Sequence, residues 1–306
     1  MQVLITGGAG FIGSHVADLL IENGHRVTIV DDLSSGKEGN IHPQATFYPL
    51  SILDTKLSDI FIGRKIDAVI HHAAQISVRD SVKDPIHDME INIRGSLNLL
   101  ENCVKNNISK FIFASTGGAL YGEQDYFPAD EQHPTRPLSP YAIAKLSTEK
   151  YLSFYHNTHK LSYTSLRYSN VYGPRQDPHG EAGGVAIFAE KMLQGAQPTI
   201  NGDGNQTRDF VYVRDVARAN LLALTHDFIG EINIATGIET SINTIFQEIK
   251  EQLSSNVQEV HGPPMPGEQL RSVLSFNNAR DILGWEPTVP LTEGLKPTVT
   301  FFKNKA

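Results

Sequence analysis

The segment that most constrains this chain is Val3-Leu-Ile-Thr-Gly-Gly-Ala-Gly-Phe-Ile-Gly13. The apolar run Val3 to Ile5 predicts a buried strand, and Thr6 to Gly13 turn the chain into a helix running to about Asn23. Gly7, Gly10 and Gly13 recur at every third position. That spacing suits a tight turn, then a close approach of backbone to a ligand, then close packing of helix on strand. The N–H groups that open the helix point over the loop, and the helix dipole favours an anion there. A dinucleotide pyrophosphate meets both requirements, with Gly7 and Gly10 as cofactor-binding positions.

A glycine-rich turn by itself is often only a turn, so the flanking sequence decides. A second strand, Arg26 to Val30, ends in Asp31-Asp32, about 20 residues past the loop. An acid there takes the adenosine ribose hydroxyls and repels a 2′-phosphate, which favours NAD over NADP. Further along, Leu33 to Asn40 is a polar loop and Thr46 to Pro49 a short strand. Asp54 then stands where a carboxylate can reach the adenine amino group or can simply cap a helix.

Asp67 to Ile70 predicts a fourth strand, followed by His71-His72-Ala73-Ala74. Neighbours on a strand point to opposite faces, and no further His or Cys cluster completes a site, so no metal is expected. Ala73 and Ala74 are small residues at a strand's C-terminal end, where a cofactor can lie against the backbone. Ile86 to Asn106 predicts one long helix, with Ile91, Leu97, Leu100 and Val104 near helical spacing. Asn92 within it is either a surface residue or a partner for the neighbouring strand's backbone, and it is counted with the cofactor-side candidates. Phe111 to Ala114 predicts a fifth strand that ends at Ser115-Thr116-Gly117-Gly118. The alternation of strand and helix predicts an α/β fold, a Rossmann-type doubly wound parallel sheet whose ligand lies across the strands' C-terminal ends.

Bulk properties exclude other classes. The net charge of −8 without a long basic run argues against nucleic acid as the main partner. Cys103 is the only cysteine, so no internal disulfide can form and a reducing compartment is expected. No apolar run reaches the roughly 18 residues of a membrane span. The opening residues lack the positive region of a signal peptide, and a cytoplasmic location is expected.

Ser139-Pro140 opens a further helix that contains Tyr141-Ala-Ile-Ala-Lys145. Residues four apart share a helical face, which brings the Lys145 ammonium near the Tyr141 hydroxyl. A free tyrosine, with a pKa near 10, is a poor base at neutral pH. A nearby lysine charge and a positive nicotinamide ring favour the phenolate and make Tyr141 a general base. A Tyr-x-x-x-Lys pair is common and usually means nothing. Its place after a dinucleotide fingerprint and a Ser/Thr strand end gives it weight, and the Thr116 hydroxyl can bond the same substrate oxygen.

Together with Leu166-Arg-Tyr-Ser-Asn-Val-Tyr-Gly-Pro-Arg175 and Arg208-Asp-Phe-Val-Tyr-Val213, these motifs resemble the extended short-chain dehydrogenase/reductase family. Within it the chain is most similar to the UDP-hexose 4-epimerases acting on UDP-glucose or UDP-N-acetylglucosamine. The resemblance runs from Met1 through Gly284-Trp285. It implies an NAD-binding Rossmann domain over residues 1–170, to which some later segments return. It also implies a smaller C-terminal α/β domain over 171–306 that binds a UDP-sugar, usually in a homodimer. Thr116, Tyr141 and Lys145 match the catalytic residues, and Phe11, Ile12 and Tyr168 match residues beside the cofactor. Asn170 and Arg208 match contacts to the sugar-nucleotide phosphates, a task suited to a bidentate guanidinium. Ile187, Phe188 and Ile200 lie where the family holds uracil, and Glu268 matches the acid on the uridine ribose.

Three positions sharpen what the resemblance implies. Gly117-Gly118 stand where the sugar 4,6-dehydratases carry an Asp-Glu pair, so dehydration lacks its acid and base. Met265 stands where an arginine is common, leaving Arg271 as the alternative phosphate contact. Ser272 occupies the gatekeeper position beside the sugar's C2 group, where a small residue admits UDP-GlcNAc and UDP-GalNAc as well as unsubstituted hexoses. The competing readings are a dehydratase, keto-reductase or other epimerase of deoxy- or amino-sugar synthesis, and a non-catalytic NAD-binding sensor or scaffold.

Overall fold

The computed structural model describes residues 1–179, 184–265 and 269–305. In chain order the strands are β1 (Gln2–Thr6), β2 (Arg26–Asp31), β3 (Thr46–Pro49), β4 (Ala68–His71), β5 (Lys110–Thr116), β6 (Ser162–Tyr168), β7 (Asn170–Tyr172), β8 (Ile200–Asn201), β9 (Thr207–Tyr212), β10 (Gly230–Ile234), β11 (Glu239–Ser241) and β12 (His261–Gly262). Seven of them form one sheet in the order β10-β6-β5-β4-β1-β2-β3. Every pairing in it is parallel.

All five residues of β1 are buried, as expected of a parallel strand covered on both faces. Strand alternation divides the core in two. Val3, Ile5, Ile70, Ile112 and Leu166 pack on one side of the sheet; Leu4, Val69, Phe111 and Phe113 pack on the other. The strand order reverses between β1 and β4, and a ligand crevice opens at such a switch point beyond the C-terminal ends. Those ends carry the glycine loop after β1, His72 to Ala74 after β4, Thr116 on β5 and Tyr168 on β6.

The single helix expected over Ile86 to Asn106 is broken up. A short helix Val78–Lys83 precedes it, and Pro85–Met89 then leads through a π-turn, Glu90–Arg94, into Gly95–Lys105. Hydropathy spacing does not register one inserted residue, so the periodic pattern survives while the backbone changes pitch.

The large sheet is not built from the first 170 residues alone. The helix Val213–Thr225 packs on Phe11–Glu22, and β10 pairs with β6 from Gly230 opposite Thr164 to Ile234 opposite Tyr168. The remaining strands form a β11-β9-β7 sheet and a β12-β8 pair. The helices Gly184–Leu193, Ile242–Leu253 and Leu291–Lys303 pack together beside them. No described helix is long and apolar enough to cross a membrane.

Candidate active site

The glycine loop is held by close contacts that tolerate no side chain. Gly7 has φ +71°, and a Cβ there would lie 2.5 Å from the Ala73 nitrogen. A Cβ on Gly13 would lie 2.2 Å from the Gly7 carbonyl oxygen. Gly10 is the N-cap of the helix Phe11–Glu22 and makes no side-chain cap, so the first-turn N–H groups remain available to an anion. Phe11 and Ile12 are half-buried and pack against the core.

Asp31 is buried, and its carboxylate accepts from the Ala9 N–H and the Leu33 N–H, each at 2.9 Å. The acid thus ties the end of β2 to the glycine loop, and burial raises its pKa. Asp32 is exposed and accepts from the Ser34 N–H at 3.0 Å. Asp54 accepts from the Lys56 N–H at 2.8 Å in the turn leading into the helix Leu57–Arg64. The Ala73 N–H donates to Thr6 Oγ1 at 3.3 Å, and Ala74 is half-buried beside it.

Asn92 is a partner for the backbone after β4. It accepts from the Gln75 N–H at 3.0 Å and donates to the Gln75 carbonyl at 2.9 Å. It therefore fixes the loop that follows β4. The two histidines diverge as strand neighbours do: His71 bonds Thr6 at 2.7 Å and Ser96 at 2.9 Å, while His72 faces Tyr168. Among the described residues no three His, Cys, Asp or Glu side chains converge.

Ser139 caps the helix Pro140–His159 by accepting from the Ala142 N–H at 3.2 Å, which places half-buried Tyr141 in the first turn. Lys145, one turn on, is buried, with Nζ 5.8 Å from the Tyr141 ring centroid. It donates to the Ala114 carbonyl at 2.9 Å, linking the helix to β5. Burial pushes its pKa down to about 8, against the opposing charges of Asp88 and Glu149. Thr116 ends β5 and accepts from the Ala119 N–H at 3.3 Å, capping the short helix Gly117–Leu120.

On the other side of the crevice, Asn170 opens β7, and Tyr168 is buried with its hydroxyl against Asn220 at 2.9 Å. Ser272 Oγ and Asn170 Oδ1 each lie 3.9 Å from the point a Cβ on Gly118 would occupy. The gatekeeper candidate, the phosphate candidate and the second glycine after Thr116 are thus neighbours, with Ser272 itself buried. Half-buried Arg208 lies on β9, and the Thr207 carbonyl accepts both from it at 2.8 Å and from the Ser272 N–H at 3.2 Å.

The remaining candidates have neighbours that the sequence does not show. Arg271 pairs with Glu239 at 2.5 Å and stacks on Phe127 at 3.7 Å, so its charge is already matched. Ile200 is fully buried in the core and Phe188 packs edge-on against Phe246. Only their main chain can face a base, and half-buried Ile187 is the one side chain of the three with surface to offer. Glu268 lies outside the described residues.

Two features were not singled out in the sequence. A groove of about 720 Å³ beside β8 and β12 is lined by Gly202, Gln206, His261, Pro264, Met265 and other residues. Asp209, adjacent to Arg208, is fully buried and accepts from the N–H groups of Thr236 at 2.8 Å and Gly237 at 2.9 Å. An acid alternating with an arginine on one strand was the available clue.

The model of the NAD dependent epimerase/dehydratase family matches residues 3–235. A UDP-glucose 4-epimerase from Thermotoga maritima, solved with UDP-glucose, is 51% identical, covers 100% of this chain and 99% of its own, and superposes with a TM-score of 0.97. A UDP-glucose 4-epimerase from Thermus thermophilus, in complex with NAD, is 43% identical with a TM-score of 0.96 over 100% of both chains. A UDP-N-acetylglucosamine 4-epimerase from Methanobrevibacter ruminantium, in complex with UDP-N-acetylmuramic acid, is 39% identical with a TM-score of 0.94, over 100% of this chain and 99% of that one.

Proposed function

The chain belongs to the NAD dependent epimerase/dehydratase family, and from that premise we propose that it inverts C4 of UDP-hexoses, UDP-glucose among them. The observation that carries this reading is the placement of Tyr141, Lys145 and Thr116 at the C-terminal edge of a parallel sheet whose next strands bear the glycine cradle. The glycine turn fits the cofactor: Gly7 and Gly13 let the loop pack directly on the Ala73 backbone and on itself, and the helix N-terminus that follows carries no side-chain cap to compete with an anion. NAD, when bound, accepts a hydride from C4 and returns it, which inversion through a 4-keto sugar requires.

Tyr141 takes the proton of the 4-hydroxyl and later gives it back. Thr116 steadies the developing oxyanion by a hydrogen bond, a contact worth most where water is excluded. Lys145 keeps the Tyr141 oxygen ionised by its charge. Arg208 and Asn170 hold the diphosphate while the sugar turns, and the groove beside β8 takes the nucleoside. Glycines at 117 and 118 leave no acid–base pair for dehydration, which sets the dehydratase reading behind this one.

Lys145 makes the rate pH-dependent. Its folded value of about 8 lies below the ordinary 10.5, so charge is lost in the folded protein first. Between those values the unfolded chain binds more protons, and this lysine's contribution to stability rises with pH. Catalysis runs the other way: kcat/KM is expected to fall as pH rises through about 8. A pH–rate profile still flat well into the Lys145 titration would sink the role given to its charge.

The small side chain of Ser272, beside Asn170 and Gly118, supports tolerance of an N-acetyl group at C2, and the Methanobrevibacter relative is named for such a sugar. Ser272→Tyr is expected to cut kcat/KM for UDP-GlcNAc at least about tenfold, as overpacking costs imply, and to spare UDP-glucose. Equal losses on both substrates would discard Ser272 as the gatekeeper. Exposed Ile143, Tyr151 and Phe154 on Pro140–His159, with Ile86 and Met89 on the adjoining helix, offer an apolar face for a second copy of the chain. The direct test of the function is proton NMR of UDP-glucose and UDP-GlcNAc with purified protein and no added cofactor. Equilibration with the C4 epimer is expected, and an unchanged substrate in both tubes would overturn the proposal.

A further inference from the structure

A contact between distant parts of the chain stands at the rim of the groove beside β8 and β12. Arg79 Nη2 donates to Met265 Sδ at 3.3 Å, across 186 residues of sequence. Met265 lines the groove and is 37% exposed, and Arg79 is exposed as well. A ligand entering the groove therefore meets the guanidinium.

The position of Arg79 is set from the β4 side. Asn92 holds Gln75 by its N–H and its carbonyl, and the Gln75 side chain accepts from the Ser77 N–H. Ser77 then caps the helix Val78–Lys83 by accepting from the Asp80 N–H at 3.0 Å. That helix packs on Pro140–His159, which carries Tyr141 and Lys145. Arg79 thus stands between the helix of the proposed general base and the groove assigned to the nucleoside. In a nucleoside diphosphate sugar, the part between the nucleoside and the reacting sugar is the diphosphate.

The chemistry fits that place. A thioether is a weak, uncharged acceptor, and a phosphate oxygen in its stead makes a stronger, charge-assisted bond. A diphosphate also carries more negative charge than one guanidinium neutralises. Arg208 approaches from the other wall, two residues beyond groove-lining Gln206 and so on the same side of an extended chain. We infer that Arg79 is a substrate-binding residue, a second guanidinium that meets the diphosphate of the bound UDP-sugar from the β4 side. The inference rests on the UDP-sugar reading above. The diphosphate takes no part in the chemistry at C4, so this contact serves ground state and transition state alike.

The test is calorimetric titration of the full-length chain with UDP, with uridine titrated in competition, followed by steady-state kinetics on UDP-glucose. Arg79→Met keeps an apolar stem and removes the charge. It is expected to bind UDP about tenfold more weakly, to leave uridine unchanged and to unfold within a few degrees of wild type. KM for UDP-glucose is expected to rise by a similar factor with kcat within about twofold, a split that a disturbed catalytic helix would not give. Arg79→Lys, which keeps the charge without the planar fork, is expected to recover part of the affinity. Should Arg79→Met not fold, Arg79→Gln is titrated in its place. Equal losses with UDP and uridine put Arg79 on the nucleoside and overturn the diphosphate assignment. Wild-type UDP affinity in a folded variant overturns the role of Arg79 and leaves the C4 reading standing. UDP binding that depends on Arg79, in a chain that inverts no sugar, supports the inference and overturns the C4 reading alone. Failure of the wild-type chain to bind UDP overturns both.

Discussion

Replacing Tyr141 with phenylalanine is expected to slow C4 inversion by about two to four orders of magnitude, the range for losing one positioned general base. The substitution removes one hydroxyl and leaves the ring in the first turn of Pro140–His159, where Ser139 and Lys145 hold the helix end and the sheet together. Bound NAD should survive, because the glycine cradle and Asp31 lie on other elements. NMR of UDP-glucose turnover measures the first effect, and the nicotinamide released on denaturation measures the second. Wild-type turnover in the variant would remove Tyr141 from the mechanism; loss of NAD together with turnover would make it a binding residue instead.

The largest stability effect is expected at Arg167. Its guanidinium meets Glu149 through Nε at 3.0 Å and Nη2 at 2.7 Å, with both side chains buried. Glu149 also accepts from Ser115 at 2.7 Å and Ser165 at 2.9 Å, while Arg167 donates to Tyr121 at 3.0 Å. The cluster joins β5, β6 and the helix of Tyr141, directly behind Thr116. Arg167→Met leaves a buried carboxylate without its counter-charge and is expected to cost about 3–5 kcal/mol in urea unfolding. The double variant Arg167→Met, Glu149→Met removes the stranded charge and is expected to regain most of that loss. If the double variant is as unstable as the single, the cost comes from lost packing and not from the uncompensated charge.

Much of the site was legible because its signals are local. Glycine spacing is a statement about turn geometry, and a Tyr-x-x-x-Lys pair on a capped helix shares a face whatever the rest of the chain does. The buried strands were legible too, since a strand covered on both faces must be apolar throughout. What stayed hidden has the opposite cause. Nothing near Arg271 in the sequence announces that Glu239 is brought beside it. Phe188 and Ile200 read as a base-binding surface until packing turns their side chains inward. The groove beside β8 depends on two-residue strands, Ile200 opposite His261, which no periodicity can announce.

The sequence by itself therefore determined the α/β class, the glycine turn and the shared helical face of Tyr141 and Lys145, because each rests on residues within one or two turns of each other. Only the tertiary structure decided which polar groups are already matched and which are left to meet a ligand. Asn92 is bound to Gln75, Arg271 to Glu239 and Asp31 to the loop backbone. Hydrogen-bond satisfaction is a sum over neighbours from every part of the chain, and those neighbours exist only once the sheet has closed around them.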